Sequence, residues 1–270
     1  MNNTSAFIET KEYKRFAEFC DACVKYQYMG VCYGLPGVGK TLSSRYYANW
    51  DYLEKQISYR HSKSIGVHAD EKIFDCHTLF YTAPAVSASK MTNAIDLMDS
   101  KLNMVKTIYR FTVTGEEEQY TTKSFEDINL LIVDEIDRLK LQSLEQLRDI
   151  YDQNKIAMIF IGMPGIEKKL SRYPQLYSRI GFAHEFDRLS KDETHHLLAY
   201  KWEELGLSIK LEDFSDYEAL ASIIKITNGN FRLIQRLFSQ IERILEINQL
   251  TSITTQVVEA ARDSLVIGIK

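Results

Sequence analysis

Short apolar runs separated by helical stretches form the main pattern along the first 187 residues. Apolar runs without polar alternation are typical of strands buried on both faces, as in a parallel sheet. Between the runs, apolar residues recur at helical spacing, as at Phe16, Phe19 and Cys23. The pattern therefore predicts an α/β fold with a five-stranded parallel sheet flanked by helices. The five segments that we interpret as strands are 29–33, 73–83, 130–133, 156–161 and 182–186.

The pattern changes after Asp187, where no further buried strand is evident. Helix-start signals follow instead, two of them S-x-x-E capping boxes, in which a Ser and a Glu side chain satisfy each other's backbone N–H groups. The sequence thus predicts an α/β domain over 1–187, which includes an N-terminal helix, and an all-α domain over 188–270. The candidate cap residues are Ser190, Ser215, Asn230 and Thr254 or Thr255.

Composition narrows the class of protein. The chain has 270 residues, of which 45% are hydrophobic and 26% charged, as expected for a soluble globular protein. No apolar run approaches the ~20 residues that span a membrane, and Met1–Thr10 lacks the features of a secretory signal. We therefore expect a cytoplasmic protein without a membrane partner. A formal net charge of −4 argues against a strongly cationic nucleic-acid binder but leaves room for a local basic patch.

Four cysteines fit a reducing compartment, and two of them, Cys20 and Cys23, form a C-x-x-C pair. Such a pair can serve redox chemistry or zinc binding. No second Cys/His pair stands at metal-ligand spacing, and the surrounding segment has a helical pattern. We therefore interpret the pair as buried structural thiols.

The segment Gly34–Thr41 fits the phosphate-binding loop G-x-x-x-x-G-K-[ST] at every fixed position. It follows an apolar run and precedes a helical segment, which is the context that this motif needs for a nest of backbone N–H groups. Lys40 would reach the β- and γ-phosphates of ATP, and the Thr41 hydroxyl would hold Mg²⁺. The expected nucleotide-binding residues here are Gly34, Leu35, Pro36, Gly37, Val38, Gly39, Lys40 and Thr41.

Two adjacent carboxylates, Asp134 and Glu135, end the apolar run 130–133. Successive residues of a strand point to opposite sides, so the two carboxylates can serve different tasks. We expect Asp134 to hold Mg²⁺ and Glu135 to polarise the attacking water as general base. These residues predict an ATPase that uses ATP and Mg²⁺.

The two motifs together, followed by a strand and Gly162-Met-Pro-Gly165, resemble AAA+ ATPases. The stretch from Tyr173 to Phe182 and the later Asn228-Gly-Asn-Phe-Arg232-Leu resemble the MuB/TniB/TnsC-like ATPases of DNA transposition. The resemblance extends from about Met29 to Leu265. It implies an AAA+ nucleotide-binding domain and a C-terminal lid.

The resemblance also implies roles for two arginines. Arg179, just before the last strand, matches the arginine that reaches a neighbouring subunit's γ-phosphate, with Arg172 as a second candidate. Arg232 matches the lid arginine that reaches the nucleotide of its own subunit. The chain departs from the pattern at Ile161–Pro164, where the polar sensor residue that usually ends the fourth strand is not evident. This departure bears on the rate of hydrolysis more than on nucleotide binding.

The function implied by the resemblance is regulation of transposition by target selection and transposase activation. The implied partners are double-stranded DNA, bound without sequence preference, a transposase or related recombination protein, and further copies in a ring or filament. Two alternatives stay open: a helicase-loader or initiator-like ATPase, and a nucleotide-switch scaffold with weak hydrolysis. A weakly basic face comprises Lys90, Lys101, Lys106 and Arg110. This face either offers contacts to DNA phosphates or is only a solvated helix face.

Overall fold

The computed structural model describes residues 7–58, 69–84, 87–115, 124–207 and 213–265. These residues form two compact units. One unit comprises Arg15–Gly34 and Lys40–Glu185. The other comprises the described parts of Met1–Lys14, Leu35–Gly39 and Phe186–Lys270.

The first unit contains the sheet. All of its strand pairs are parallel, and the strand order is β2-β3-β4-β1-β5. The fold class predicted from the apolar runs is therefore confirmed. The strands are β1 (Met29–Tyr33), β2 (Thr78–Thr82), β3 (Leu130–Asp134), β4 (Ala157–Gly162) and β5 (Ile180–Glu185).

Before β5, the part of the chain that the structure describes has seven helices and two 3-10 turns. The 3-10 turns are Glu71–Asp75 and Ile136–Arg138. The helices are α1 (Lys11–Tyr26), α2 (Lys40–Tyr47), α3 (Trp50–Ile57), α4 (Ala88–Thr114), α5 (Leu141–Asn154), α6 (Ile166–Leu170) and α7 (Pro174–Tyr177).

The sheet positions the candidate chemistry at one edge. Every residue of β3 and β4 is buried, as expected for strands covered on both faces. In the parallel register, Tyr33 at the end of β1 pairs with Gly162 at the end of β4, and Thr82 at the end of β2 pairs with Asp134. The carboxyl ends of these strands therefore lie together, which is where open α/β sheets bind ligands.

The second unit is helical after Phe186. Its core is an apolar stripe on α10 that includes Ile234, Leu237 and Ile241, all fully buried. The Trp202 ring packs edge-on against Phe238 with ring centroids 5.3 Å apart. Its helices are α8 (Lys191–Glu204), α9 (Phe214–Thr227), α10 (Phe231–Asn248) and α11 (Thr255–Asp263).

Helix caps test the start signals directly. Ser190 and Glu193 form the expected capping box, and the side chains of Asn230 and Thr254 cap α10 and α11. The prediction for Ser215 is wrong. Asp213 caps α9 instead, because its carboxylate accepts the Ser215 N–H at 3.0 Å and places Ser215 inside the first turn.

Candidate functional site

The phosphate-binding loop Gly34–Thr41 connects β1 to α2, and Lys40 is the first residue of that helix. Gly37 and Gly39 have φ angles of 83° and 119°, in a region that only glycine adopts readily. The Lys40 ammonium donates a hydrogen bond to the Gly34 carbonyl oxygen at 2.6 Å. Lys40 is therefore folded back along its own loop, with a cation at the helix N-terminus, where anions are favoured.

Asp134 lies at the end of β3 and contacts the start of α2. Its Oδ2 accepts a hydrogen bond from the Thr41 hydroxyl at 2.6 Å, and its Oδ1 accepts one from the Glu135 N–H at 2.8 Å. Burial raises the pKa of Asp134, while these two hydrogen bonds act to lower it. The fold thus brings together Thr41 and Asp134, which are 93 positions apart in sequence.

This pair fits a magnesium ion. Mg²⁺ prefers hard oxygen donors and is held in phosphoryl-transfer sites by few protein ligands. A hydroxyl and a carboxylate supply such oxygens, and the hydrogen bond between them already places both at one point. The residues present would hold Mg²⁺ through Thr41 and Asp134.

Glu135 follows directly and has an unusual backbone. Its φ of 57° lies in the left-handed region, which non-glycine residues adopt uncommonly. Its carboxylate forms an ion pair with the Arg138 guanidinium, one turn later in the chain. Both side chains are partly exposed. The general-base candidate is therefore accessible and has a cation beside it.

The end of β4 explains the missing polar sensor. Gly162 has no side chain, and a Cβ there would come within 2.8 Å of Asp137 Oδ2. The same oxygen accepts the Met163 N–H at 2.8 Å. A carboxylate from the turn after β3 thus occupies the place where β4 offers no polar side chain. Sequence gives no signal for this contact across 26 positions.

Arg179 is engaged within its own chain. Its Nε and Nη2 donate to the two carboxylate oxygens of Asp152, each at 2.6 Å, and its Nη1 donates to the Gln175 carbonyl. Neither partner is among the predicted site residues. The side chains of Arg179 and Asp152 are 31% and 36% exposed, so the pair lies at the surface. Arg172, the second candidate, is also exposed.

The tip of the phosphate-binding loop contacts the start of α10 in the second unit. Asn230 Nδ2 donates to the Pro36 carbonyl oxygen at 2.9 Å, and the Arg232 N–H donates to the Gly37 carbonyl oxygen at 2.9 Å. The Arg232 side chain is exposed. Sequence reasoning identified Asn230 only as a helix cap and missed its bond to the loop.

The C-x-x-C pair has the structural role that its context predicts. Cys20 and Cys23 are fully buried with free thiols. Burial raises the pKa of both, that of Cys23 to about 12, so neither is a reactive thiolate. Within the described ranges, no group of three or more His, Cys, Asp or Glu residues could hold a metal ion.

The basic face proposed for DNA contact is only partly available. Lys106 is 4% exposed, and its ammonium lies 3.5 Å from Asp127. Because Lys106 is buried, which also lowers its pKa, its assignment as a phosphate contact is wrong. Lys101 donates to the Ile57 carbonyl at 2.8 Å, and the Arg110 guanidinium lies over the Phe74 ring. Lys90 remains exposed.

Across the described part of the chain, no helix is both long enough and apolar enough to cross a membrane.

Known proteins resemble this chain in sequence or in fold. A Staphylococcus aureus protein described as a "Potential ATP-binding protein" is 60% identical over 271 residues, which is 100% of both chains. The Thermotoga maritima RuvB Holliday junction branch migration motor has a TM-score of 0.58 at 18% identity, covering 97% of this chain and 71% of that one.

Two further solved structures have the same fold. Cdc6p from Pyrobaculum aerophilum has a TM-score of 0.63 at 14% identity, over 100% of this chain and 71% of that one. The Orc1 protein of Aeropyrum pernix, solved in complex with DNA, has a TM-score of 0.58 at 17% identity, over 97% and 67%. The AAA domain family matches residues 24–170, more than half of the chain, and includes the phosphate-binding loop and both carboxylates. The chain therefore belongs to the AAA domain family.

Proposed function

We propose that this protein binds and hydrolyses Mg·ATP, assembles on double-stranded DNA in a ring or filament, and regulates transposition by target selection and transposase activation. The observation that carries the ATPase part is the 2.6 Å hydrogen bond between the Thr41 hydroxyl and Asp134. It brings the magnesium-binding ends of two distant motifs to one point. The description of the 60% identical relative as a potential ATP-binding protein supports the same ligand.

The residues of the site divide the work of phosphoryl transfer. The loop amides and the Lys40 ammonium, which now bonds to the Gly34 carbonyl, turn to the β- and γ-phosphates. When bound, Mg²⁺ supplies charge neutralisation at those phosphate oxygens. Glu135 accepts the proton of the attacking water, for which its carboxylate must leave the ion pair with Arg138.

A neighbouring subunit completes the site in this proposal. Arg179 supplies a planar, permanently charged group that suits the charge developing on a γ-phosphate. Its present partner is Asp152, and because both side chains are about one-third exposed, water and salt weaken the pair. A phosphate in a neighbouring site can therefore compete with Asp152 for the guanidinium.

DNA binding is supported by proteins of similar fold and by one exposed cation. Two proteins of the same fold are described as a Holliday junction motor and as an Orc1 protein in complex with DNA. Lys90 is the exposed cation of the basic face. Few contacts per subunit suffice when an assembly adds them along the duplex, and such binding is independent of sequence. The free thiols of all four cysteines fit the cytoplasm as the compartment.

Phosphate release and DNA retention test the proposal together. We expect the wild-type protein to release phosphate from ATP and to bind duplex DNA only with ATP, with an affinity that falls as salt rises. Glu135→Gln should lower phosphate release by about 10²- to 10⁴-fold and accumulate on DNA, because binding and assembly do not need the base.

Lys40→Ala is the matched control. Its affinity for the nucleotide should be about 10- to 150-fold lower than that of the wild type, the range for hydrogen bonds to charged groups. ATP-independent DNA binding by the wild type, or equal DNA retention by Lys40→Ala, would contradict the proposal. Nucleotide and DNA binding without phosphate release would instead favour the nucleotide-switch scaffold.

A helicase-loader or initiator-like ATPase is the second candidate, favoured by the shared fold with Cdc6p and Orc1. The partner separates the two functions. The purified protein, loaded with ATP on DNA, should retain a transposase in the first case and a replicative helicase in the second.

A further inference from the structure

Asn230 makes two hydrogen bonds in opposite directions from one side chain. Its Oδ1 accepts the Leu233 N–H at 3.1 Å and caps α10, while its Nδ2 donates to the Pro36 carbonyl at 2.9 Å. Capping alone uses only the oxygen, so Ser, Thr or Asp would serve equally well. The amide nitrogen is the group that the loop contact requires.

These bonds fix the direction of two peptide groups in the phosphate-binding loop. In a trans peptide the C=O and the following N–H point in opposite directions, and the described chain has no cis peptide. The Pro36 carbonyl points to Asn230 and the Gly37 carbonyl to the Arg232 N–H. The N–H groups of Gly37 and Val38 therefore point away from α10, as donors for an anion.

The loop tip and the start of α10 are packed closely around this contact. A Cβ on Gly37 would come within 2.6 Å of Asn230 Oδ1 and 2.9 Å of Arg232 Cβ. Asn230 itself is held on its other side, because its N–H donates to the Thr227 carbonyl at 2.9 Å and the preceding Gly229 carbonyl accepts the Leu189 N–H at 3.0 Å. The loop tip and the helix start therefore hold one another in a single arrangement.

We propose that Asn230 is a positioning residue for the nucleotide: through its amide nitrogen it orients the loop amides that bind the phosphates. The inference rests on the proposed function, because its ligand is the same Mg·ATP. By reciprocity, phosphates held by those amides stabilise the start of α10. The lid helix then responds to the nucleotide through Asn230 as well as through the Arg232 side chain.

Asn230→Ser separates positioning from capping. Serine caps a helix well, but its side chain is too short to reach the Pro36 carbonyl as well. We expect this variant to bind N-methylanthraniloyl-ATP with Mg²⁺ about 3- to 10-fold more weakly, the range for one net hydrogen bond, with the melting temperature little changed.

Thr254→Ala is the matched control, because Thr254 caps α11 in the same unit and its cap bond goes to Val257. It should lower the melting temperature while leaving nucleotide affinity unchanged. Equal affinity of Asn230→Ser and wild type, with Lys40→Ala defective, would overturn the inference and leave the proposed function standing. Failure of the wild type to bind the nucleotide would instead overturn the proposed function.

Hydrogen exchange on the wild type keeps the inference testable if Asn230→Ser does not fold. The Leu233 amide donates to Asn230 Oδ1, so its exchange reports the capped turn. Mg·ATP should slow this exchange by at least threefold and leave that of the Val257 amide, capped by Thr254, unchanged. An unchanged rate at Leu233 with saturating nucleotide would overturn the inference.

Discussion

The two arginines singled out in the sequence differ in what holds them. Arg232 is fixed by its backbone, which donates to the Gly37 carbonyl, and its guanidinium makes no ion pair with any other residue that the structure describes. Arg179 is the opposite case: its Nε and Nη2 donate to the Asp152 carboxylate and its Nη1 donates to the Gln175 carbonyl.

This difference separates a group that is ready for a ligand from one that must exchange partners. Arg232, whose backbone is bonded to the phosphate-binding loop, needs no rearrangement of an ion pair to meet a nucleotide. A guanidinium bound by a carboxylate must first leave that carboxylate, and the partial exposure of the pair lets water and salt weaken it. We therefore expect Arg232 to act on nucleotide affinity and Arg179 to act on hydrolysis after assembly.

Arg179→Ala should have the largest effect. Phosphate release by the DNA-bound assembly should fall by about 10³- to 10⁵-fold, the range for an arginine that stabilises a γ-phosphate transition state. Nucleotide affinity of the unassembled protein should stay within twofold of wild type. Arg179→Lys keeps the charge without the planar fork and should recover little activity. Hydrolysis within twofold of wild type would mean that Arg179 only pairs with Asp152 and does not act in hydrolysis.

Arg232→Ala should act at the earlier step. Loss of a charged hydrogen bond to the nucleotide should weaken Mg·ATP binding by about 10- to 150-fold in a fluorescence titration. Arg236, exposed on the same helix, provides the matched control, and its alanine variant should bind as wild type does. If both variants bind the nucleotide equally well, Arg232 does not contribute to nucleotide affinity and its contrast with Arg179 fails.

Asp152→Asn should sharpen the comparison by releasing Arg179 without removing it. Assembly on DNA should then need less protein, because Arg179 no longer has to leave an ion pair before it reaches a neighbouring site. Sedimentation at several protein concentrations measures this shift. A higher protein requirement would mean that the pair with Asp152 supports the assembling surface.

The smallest effect concerns the basic face. Lys90→Ala should reduce the slope of log DNA affinity against log salt by about one, because it removes one phosphate contact. Lys106→Met should leave that slope unchanged, because Lys106 is buried against Asp127. Equal slopes for Lys90→Ala and wild type would remove Lys90 from the DNA-binding surface.

Local patterns in the sequence predicted the buried strands and most helix starts, since these depend on neighbouring residues. In the segment 73–83, a local hydrogen bond prevails over the apolar pattern. We expected a single strand there, but the Asp70 carboxylate accepts the Lys72 N–H and caps a 3-10 turn over Glu71–Asp75, so that β2 begins at Thr78. A side-chain bond to the backbone overrode the apolar pattern.

Contacts between distant residues could not be predicted in the same way. Asn230 and Pro36 are 194 positions apart, and Arg179 and Asp152 are 27 apart, with no spacing rule that links them. The contact of Lys106 with Asp127 joins positions 21 apart, which the spacing of lysines along α4 does not reveal. The roles expected for Thr41, Asp134 and Glu135 came from motifs, whereas Asp152 as the partner of Arg179 required the fold.

Subunit mixing tests most directly the central claim that two chains complete one site. Glu135→Gln lacks the base but retains Arg179, and Arg179→Ala retains the base. Each variant alone should release almost no phosphate in the presence of DNA. An equimolar mixture should release phosphate well above the sum of the two, because Glu135→Gln subunits supply Arg179 to sites with an intact Glu135. A mixture no more active than that sum, while both variants co-assemble on DNA, would contradict the account.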